Sequence, residues 1–220
     1  MKKLFTFLIF IISICTFAQE TIDAQRPTMT ESNTVVAPGF IQAENGGTYI
    51  DGFYGFNTFV RFGITERLEF RFATAYASPT LDLSGKIFIW GGKGAIPGLS
   101  FQLDYNPFFG RQNYTLSATG DLSKKFFYTI NAGNDYSWYG LGLIGFSYTK
   151  GCIFGEYKYH EDYQQLNFGV TYILKNEVQF DLNGGLIDYS TLYVGAGIAF
   201  RLKPFDLIKN DGTVVFPTAE

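Results

Sequence analysis

Short segments of this chain alternate apolar and polar residues one by one, and this pattern constrains the fold more than any other feature. Residues 68–76 (LEFRFATAY) place Leu, Phe, Phe, Thr and Tyr opposite Glu, Arg, Ala and Ala, and residues 99–106 (LSFQLDYN) repeat the pattern. Successive side chains of a β-strand point to opposite faces, so each run has one apolar and one polar face. Together with a secretion signal, the pattern predicts a closed sheet in lipid, apolar outside and polar inside.

The first 18 residues have the composition of a cleaved signal peptide. Two lysines precede an apolar stretch over residues 4–17, and Thr16-Phe17-Ala18 offers a small-residue cleavage site. The stretch is too short to span a bilayer comfortably. Lipid attachment at Cys15 is a less favoured alternative, because Ile14 stands where such signals usually have a small residue.

Composition narrows the class of protein further. Loss of the signal removes Lys2 and Lys3 and changes the formal net charge from −3 to −5, which argues against a nucleic-acid partner. Cys152 is then the one cysteine left, so we expect no intramolecular disulfide and no cysteine metal cluster. We also expect no cofactor. Aromatic residues at 19% and 25 glycines, without a helical period, favour strands in one domain.

We predict a polar leader over residues 19–38, a barrel over 39–201 and an irregular tail over 202–220. Pro27 and Pro38 exclude a helix or central strand in the leader. About twelve strands are predicted, near residues 40–50, 54–63, 67–77, 81–92, 98–109, 113–121, 126–135, 138–149, 152–160, 163–173, 177–187 and 191–201. An even number puts both ends of the barrel on the periplasmic side. The eighth segment alternates poorly, and its facing is not assigned.

The last segment, Tyr193 to Phe200, is similar to the terminal signal by which outer-membrane barrels are recognised for insertion; an ordinary glycine-rich strand is the alternative. Aromatic residues near strand ends, such as Trp90 and Trp138, fit the girdles at the two membrane interfaces. We therefore expect a monomer in the cell outer membrane, with lipid and the barrel-assembly machinery as partners. A secreted β-sandwich remains the alternative fold, with shorter strands and longer turns.

Charged residues of both signs fall on the predicted inner faces. These candidates for the lining of the lumen are Glu44, Arg61, Glu69, Arg71, Lys86, Asp104, Asp121, Glu156, Lys158 and Asp181. Lys or Arg on the lipid face costs ~2–4 kcal/mol at the midplane, so this confinement is required whatever the function. The charges either line a solute path or form a ladder of ion pairs that seals the interior. Twelve strands predict a narrow or partly blocked lumen.

An enzymatic function has little support in the sequence. His160 is the single histidine, and a barrel lipid hydrolase would need it beside a serine from another strand; a lone histidine at the strand end is the simpler interpretation. Gly91-Gly92-Lys93-Gly94 lacks the spacing of a phosphate-binding loop and is better explained as a turn. Asp51, Glu161 and Asp162 do not have the spacing of a metal loop. We predict no catalytic, metal or cofactor residues.

The leader carries a family resemblance. Residues 25–32 (QRPTMTES) and 34–39 (TVVAPG) resemble the N-terminal signature of outer-membrane barrels labelled as transporters of the meta-pathway of phenol degradation. Members of that family read Thr-Asp-Arg-Pro, Thr-Glu-Ser and Val-x-Pro-Gly, and residues 58–69 (TFVRFGITERLE) resemble their second hairpin. This chain departs from the pattern at Ala24-Gln25.

The resemblance implies an outer-membrane barrel that transports small molecules, hydrophobic or aromatic ones among them, and it carries over no catalytic residue. We expect Arg26 and Glu31 to hold the leader in the periplasmic mouth by pairing with charges of the lumen. The predicted function is a passive channel or transporter. A sealed structural barrel and, less favoured, a lipid hydrolase are the alternatives.

Overall fold

The alternating segments form twelve antiparallel strands that close into a barrel in the computed structural model. The structure describes residues 22–76, 80–175 and 177–203, so the predicted signal peptide and the tail from residue 204 lie outside the described residues. The strands are β1 (Ile41–Ile50), β2 (Phe53–Thr65), β3 (Leu68–Ala75), β4 (Thr80–Trp90), β5 (Gly98–Asn106), β6 (Arg111–Asp121), β7 (Phe126–Asp135), β8 (Ser137–Tyr148), β9 (Gly151–His160), β10 (Gln164–Lys175), β11 (Val178–Ile187) and β12 (Thr191–Leu202).

Each strand pairs with its neighbours in sequence, and β1 pairs with β12 to close the barrel. The predicted all-β, up-and-down fold with twelve strands is therefore confirmed. The strands are 8 to 13 residues long. This range of lengths includes the ~9–11 residues that a tilted strand needs to cross a bilayer. No helix of the described residues is long and apolar enough to cross a membrane.

The barrel is apolar outside and polar inside, the reverse of a water-soluble protein. Outward side chains such as Phe168 and Leu182, each 60% exposed, form a belt around the strands. Inward side chains such as Glu44, Arg71 and Lys86 are fully buried. Because charges are tolerated inside and costly against hydrocarbon, this arrangement is the architecture of an outer-membrane barrel.

The structure of β8 shows why the inward and outward residues of this strand could not be assigned from the sequence. Leu141 and Leu143 point inward and are buried beside Phe154 of β9, while Gly140 and Gly142 face outward. Neither face of β8 is polar, so the usual contrast between faces is missing. The inner wall of the barrel thus has an apolar strip on β8 and β9.

Both chain ends of the barrel lie at one end, here called the near end, where β1 begins and β12 ends; the opposite end is the far end. A tight turn connects the leader to β1 at the near end. In this turn the N–H of Phe40 donates to the carbonyl of Ala37 at 3.1 Å, and the N–H of Gly39 donates to the carbonyl of Gly63 at 2.9 Å. Gly39 has φ = 77°, which favours glycine, and the turn directs the leader back into the lumen.

Candidate functional site

The lumen of the near half contains a network of buried ion pairs on β1, β2 and β3. Nε of Arg61 lies 2.8 Å from Oε1 of Glu69, and its Nη2 lies 3.0 Å from Oε2 of the same carboxylate. Nη1 of Arg61 also lies 3.4 Å from Glu44, and Arg71 pairs with Glu69 from the other side. These side chains are at most 1% exposed, so each charge depends on its partners for compensation.

The leader runs through this half of the lumen as an irregular loop, and it fills the interior that the barrel wall encloses there. It contacts Glu44, Asn131 and Glu156, each close to the middle of its strand, so the loop reaches about midway along the barrel. Within the leader, Ile22 and Val36 are 3% and 1% exposed. The near half of the barrel is therefore occupied by the chain itself.

Two carboxylates of the barrel each bind two consecutive N–H groups of the leader. Glu44 accepts hydrogen bonds from the N–H of Gln25 at 3.1 Å and of Arg26 at 2.8 Å. Glu156 accepts from the N–H of Met29 at 2.7 Å and of Thr30 at 3.0 Å, and also from the Thr30 hydroxyl at 2.8 Å. Hydrogen bonds to a charged acceptor are the stronger kind, so these carboxylates are the main anchors of the leader backbone.

Amide side chains of the barrel bind further backbone groups of the leader. Asn131 accepts from the N–H of Glu31 at 2.7 Å and donates to its carbonyl at 2.8 Å. Other barrel side chains donate to leader carbonyls: Gln179 to Arg26, Asn167 to Pro27, Ser100 to Ser32, and Gln42 and Arg61 to Asp23. Most of these contacts involve the leader backbone and not its side chains.

Two leader side chains carry the charged contacts. Nη2 of Arg26 lies 3.4 Å from Oδ1 of Asp181, and Nη1 lies 3.2 Å from the side-chain oxygen of Asn57. The Glu31 carboxylate lies 2.7 Å from Nη1 of Arg71 and 3.3 Å from Nζ of Lys86. The two residues that the sequence suggested as tethers therefore meet opposite charges of the barrel in this structure.

The Arg26 guanidinium packs against two glycines of the barrel wall, where any larger residue would clash with it. A Cβ added at Gly46 would lie 1.9 Å from Cζ of Arg26, and one at Gly197 would lie 2.4 Å from its Nε. These residues pair across the β1–β12 seam. The absence of side chains on this part of the wall gives Arg26 its place beside Asp181.

We predict that Gly46→Val displaces Arg26 and loosens the leader. The new side chain and the guanidinium cannot share the same space, so the ion pair with Asp181 is lost. Cleavage after Glu31 by a glutamate-specific protease should then be about tenfold faster in the detergent-solubilised protein, since a hydrogen-bonded charge contributes roughly 1.5–3 kcal/mol.

Gly55→Val is the matched control for this experiment. Gly55 also faces inward, but the nearest atom to an added Cβ there is the Thr48 carbonyl oxygen at 3.9 Å. An equal cleavage rate in the Gly46 variant and the control would contradict the conclusion that Arg26 needs the space above Gly46.

Beyond the leader, the described residues of the far half enclose at least two cavities. One of about 430 Å³, here called the far cavity, opens toward the far end. It is lined by Phe59, Ala73, Asp82, Ser84, Gln102, Asp104, Asn106, Phe109, Arg111, Asn113, Asp135 and Tyr136. The second, of about 400 Å³, lies between the leader and the far part of the wall, and residues of the leader from Gln25 to Glu31 form one side of it.

The far cavity has a negative balance of charge. Three aspartates, Asp82, Asp104 and Asp135, face one arginine, Arg111. Cζ of Arg111 lies 3.7 Å from the centre of the Tyr136 ring, so the guanidinium lies against an aromatic face. A cavity lined in this way attracts cations and repels anions.

The structure places all ten residues suggested for the lumen on inward positions of their strands, although they differ in burial. Glu44, Arg61, Glu69, Arg71, Lys86, Glu156 and Asp181 are buried. Asp104 and Lys158 are partly exposed in the far half, and Asp121 is exposed at the near rim. Sequence reasoning missed Asn131, Asn167 and Gln179, which bind the leader, because it searched inner faces for charges and not for amides.

His160 makes contacts that explain its burial. Its Nε2 lies 3.2 Å from the carbonyl oxygen of Asp135, and its Nδ1 accepts from the N–H of Asp162 at 3.1 Å. Its ring stacks on Tyr163 with centroids 4.8 Å apart. Both ring nitrogens are thus engaged with backbone groups, and among the described residues no group of His, Cys, Asp and Glu could hold a metal ion.

Comparison with known proteins relates the fold to porins. No family model matches the chain. No curated protein matches it either. Among solved structures, it is similar to the KdgM porin in complex with disordered oligogalacturonate, with a TM-score of 0.62 and 10% identity over 72% of this chain and 98% of that one. The NanC porin has a TM-score of 0.56 and 10% identity, over 73% of this chain and all of that one. At these identities the likeness shows the outer-membrane barrel fold alone.

Proposed function

We propose that this protein is an outer-membrane channel for small polar molecules that are neutral or cationic, and that its leader restricts passage through the near half. The far cavity is the observation that carries the proposal. Most of its lining residues are polar or charged, it opens toward the far end, and it is large enough for a small solute, whereas the leader fills the lumen below it. The likeness of the fold to porins supports a channel.

The charge of the far cavity supports the choice of solute. An oligogalacturonate, the compound named with the KdgM porin, is a polyanion, and the three aspartates would repel it. The family resemblance of the leader suggests small aromatic compounds as further solutes. The rings of the far cavity that could contact them are those of Phe59, Phe109 and Tyr136. Eight of the twelve lining residues nevertheless have polar or charged side chains, so polar solutes are the better match.

A sealed structural barrel is the second candidate, and one observation favours it. The ion pairs of Arg61, Glu69 and Arg71 together with the leader fill the near half, as a barrel without transport would require. The two candidates differ in whether the leader leaves the lumen, and recordings of ion flow decide between them.

The test is the reversal potential of the full-length protein in a planar bilayer under a KCl gradient. We expect cation-selective conductance, because the far cavity has more carboxylates than cations. Asp82→Asn with Asp135→Asn should reduce the cation preference while the conductance persists. Anion selectivity would contradict the choice of solute, and the absence of conductance in both the full-length protein and a leader deletion would favour the sealed barrel.

A further inference from the structure

We infer that the lumen of this barrel is a binding site for a segment of polypeptide, which its own leader occupies in this structure, and that a peptide from outside takes the same site when the leader leaves. The ligand class is an oligopeptide with a basic residue five positions before an acidic one. This inference adds a ligand to the channel proposed above, but the binding can be measured without any ion flow.

The first argument is that the barrel contacts the backbone of the leader. Glu44 and Glu156 each accept two consecutive N–H groups, and Asn131 binds the N–H and the carbonyl of one residue. Further donors from the barrel meet leader carbonyls, as those of Gln179 and Asn167 do. Such contacts recognise a feature that all peptides share and that sugars or inorganic ions lack.

The second argument is that the two carboxylates have a geometry suited to a peptide. The N–H groups of two adjacent residues can reach both oxygens of one carboxylate when the backbone turns, as it does at Arg26. The four N–H groups lie at 2.7 to 3.1 Å from the carboxylate oxygens. Without the leader, the buried Glu156 carboxylate would keep only the Asn167 amide among the described residues, so the site favours an occupant that supplies N–H donors.

The third argument sets the preference among peptides. Asp181 and Asn57 form a place for a cation, which Arg26 occupies, and Arg71 with Lys86 form a place for an anion, which Glu31 occupies. These two places are five residues apart along the leader. A peptide with the same spacing of charges would bind both, whereas one with the charges reversed would place like charges together.

The leader is covalently joined to the barrel, which explains why the site binds the leader in preference to a free peptide. A tethered segment has an effective concentration on the order of millimolar, so a free peptide competes only when the leader is withdrawn or cut. We therefore propose an experiment on the folded full-length chain with a protease site inserted between Pro38 and Gly39. After cutting, the leader is held by its non-covalent contacts alone.

The probes are fluorescent synthetic peptides with the sequence of residues 19–36. One has the natural backbone, and one has esters in place of the amides at Arg26 and Met29, which removes two N–H donors without changing a side chain. A control peptide has one ester at Val35, whose N–H makes no hydrogen bond to the barrel within the described residues. A fourth peptide exchanges the residues at positions 26 and 31. All changes lie in the peptide, so the folding of the barrel is unaffected.

The natural peptide should replace the cut leader and should not bind the uncut protein. The ester peptide should bind at least about tenfold more weakly for each ester, and the Val35 control should bind like the natural peptide. The charge-exchanged peptide should also be weaker. Equal binding of natural and ester peptides, or no exchange at all in the cut protein, would overturn the inference. These outcomes do not depend on conductance, so they are distinguishable from a failure of the channel proposal.

Discussion

A variant that lacks residues 22–35 is expected to conduct ions several-fold better than the full-length protein in a planar bilayer. The leader and the buried ion pairs occupy the near half of the lumen, so we expect removal of the leader to open a path from the far cavity to the near end. The variant keeps Val36, whose N–H donates to Glu69, and the turn that starts β1. Arg26→Ala with Glu31→Ala should give an intermediate increase, because the backbone contacts to Glu44 and Glu156 persist.

Asp121→Asn is the control for these recordings. Asp121 is an inward carboxylate at the exposed near rim, so its neutralisation changes a lumen charge without touching the contacts that hold the leader. We expect its conductance to stay close to that of the full-length protein. If the leader deletion also conducts like the full-length protein, the leader is not the element that restricts passage.

Arg61→Ala is expected to lower the free energy of unfolding by about 3–5 kcal/mol, the cost of removing one partner from a buried ion pair. The variant leaves Glu69 and Glu44 without their common cation, and both are fully buried. It also removes one of the two side-chain donors to the carbonyl of Asp23, so the leader loses a contact. The measurement is the urea concentration at the midpoint of unfolding in lipid vesicles. The folded fraction at each urea concentration is determined from the heat-dependent shift of the folded band on a gel.

Arg111→Ala tests whether this loss is specific to the buried network. Arg111 is also an inward arginine, but it lies exposed at the far end against Tyr136. Its removal should change the unfolding free energy by less than about 1 kcal/mol, as for other exposed charges. Equal destabilisation by the two variants would show that the Arg61 network has no special weight in the fold.

The fold was predictable because a period of two is read directly from the residues. In β10, Leu166, Phe168 and Val170 alternate with Gln165, Asn167 and Thr171, and the structure has the first three outside and the others inside. In β8 the same reasoning failed, because Leu141 and Leu143 fill an apolar strip of the lumen and no polar face marks the inside.

The contacts of the leader were less accessible to sequence reasoning. Glu156 binds Met29 across 127 positions of the chain, and no local pattern reports a pairing at that distance. Arg26 and Glu31 could be suggested because charged residues in a polar segment need partners. The partner of each, and the role of amides such as Asn131, depend on how twelve strands bring distant residues around one lumen.

The most direct test of the account is a scan of spin-label accessibility along β10 in lipid vesicles, in a Cys152→Ser background. Labels at Leu166, Phe168, Val170 and Tyr172 should be highly accessible to oxygen dissolved in the lipid. Labels at Gln165, Asn167, Gly169 and Thr171 should be poorly accessible to it, which gives an alternation with a period of two. High accessibility to a water-soluble reagent at the outward positions, or no alternation at all, would contradict a barrel whose apolar face meets lipid.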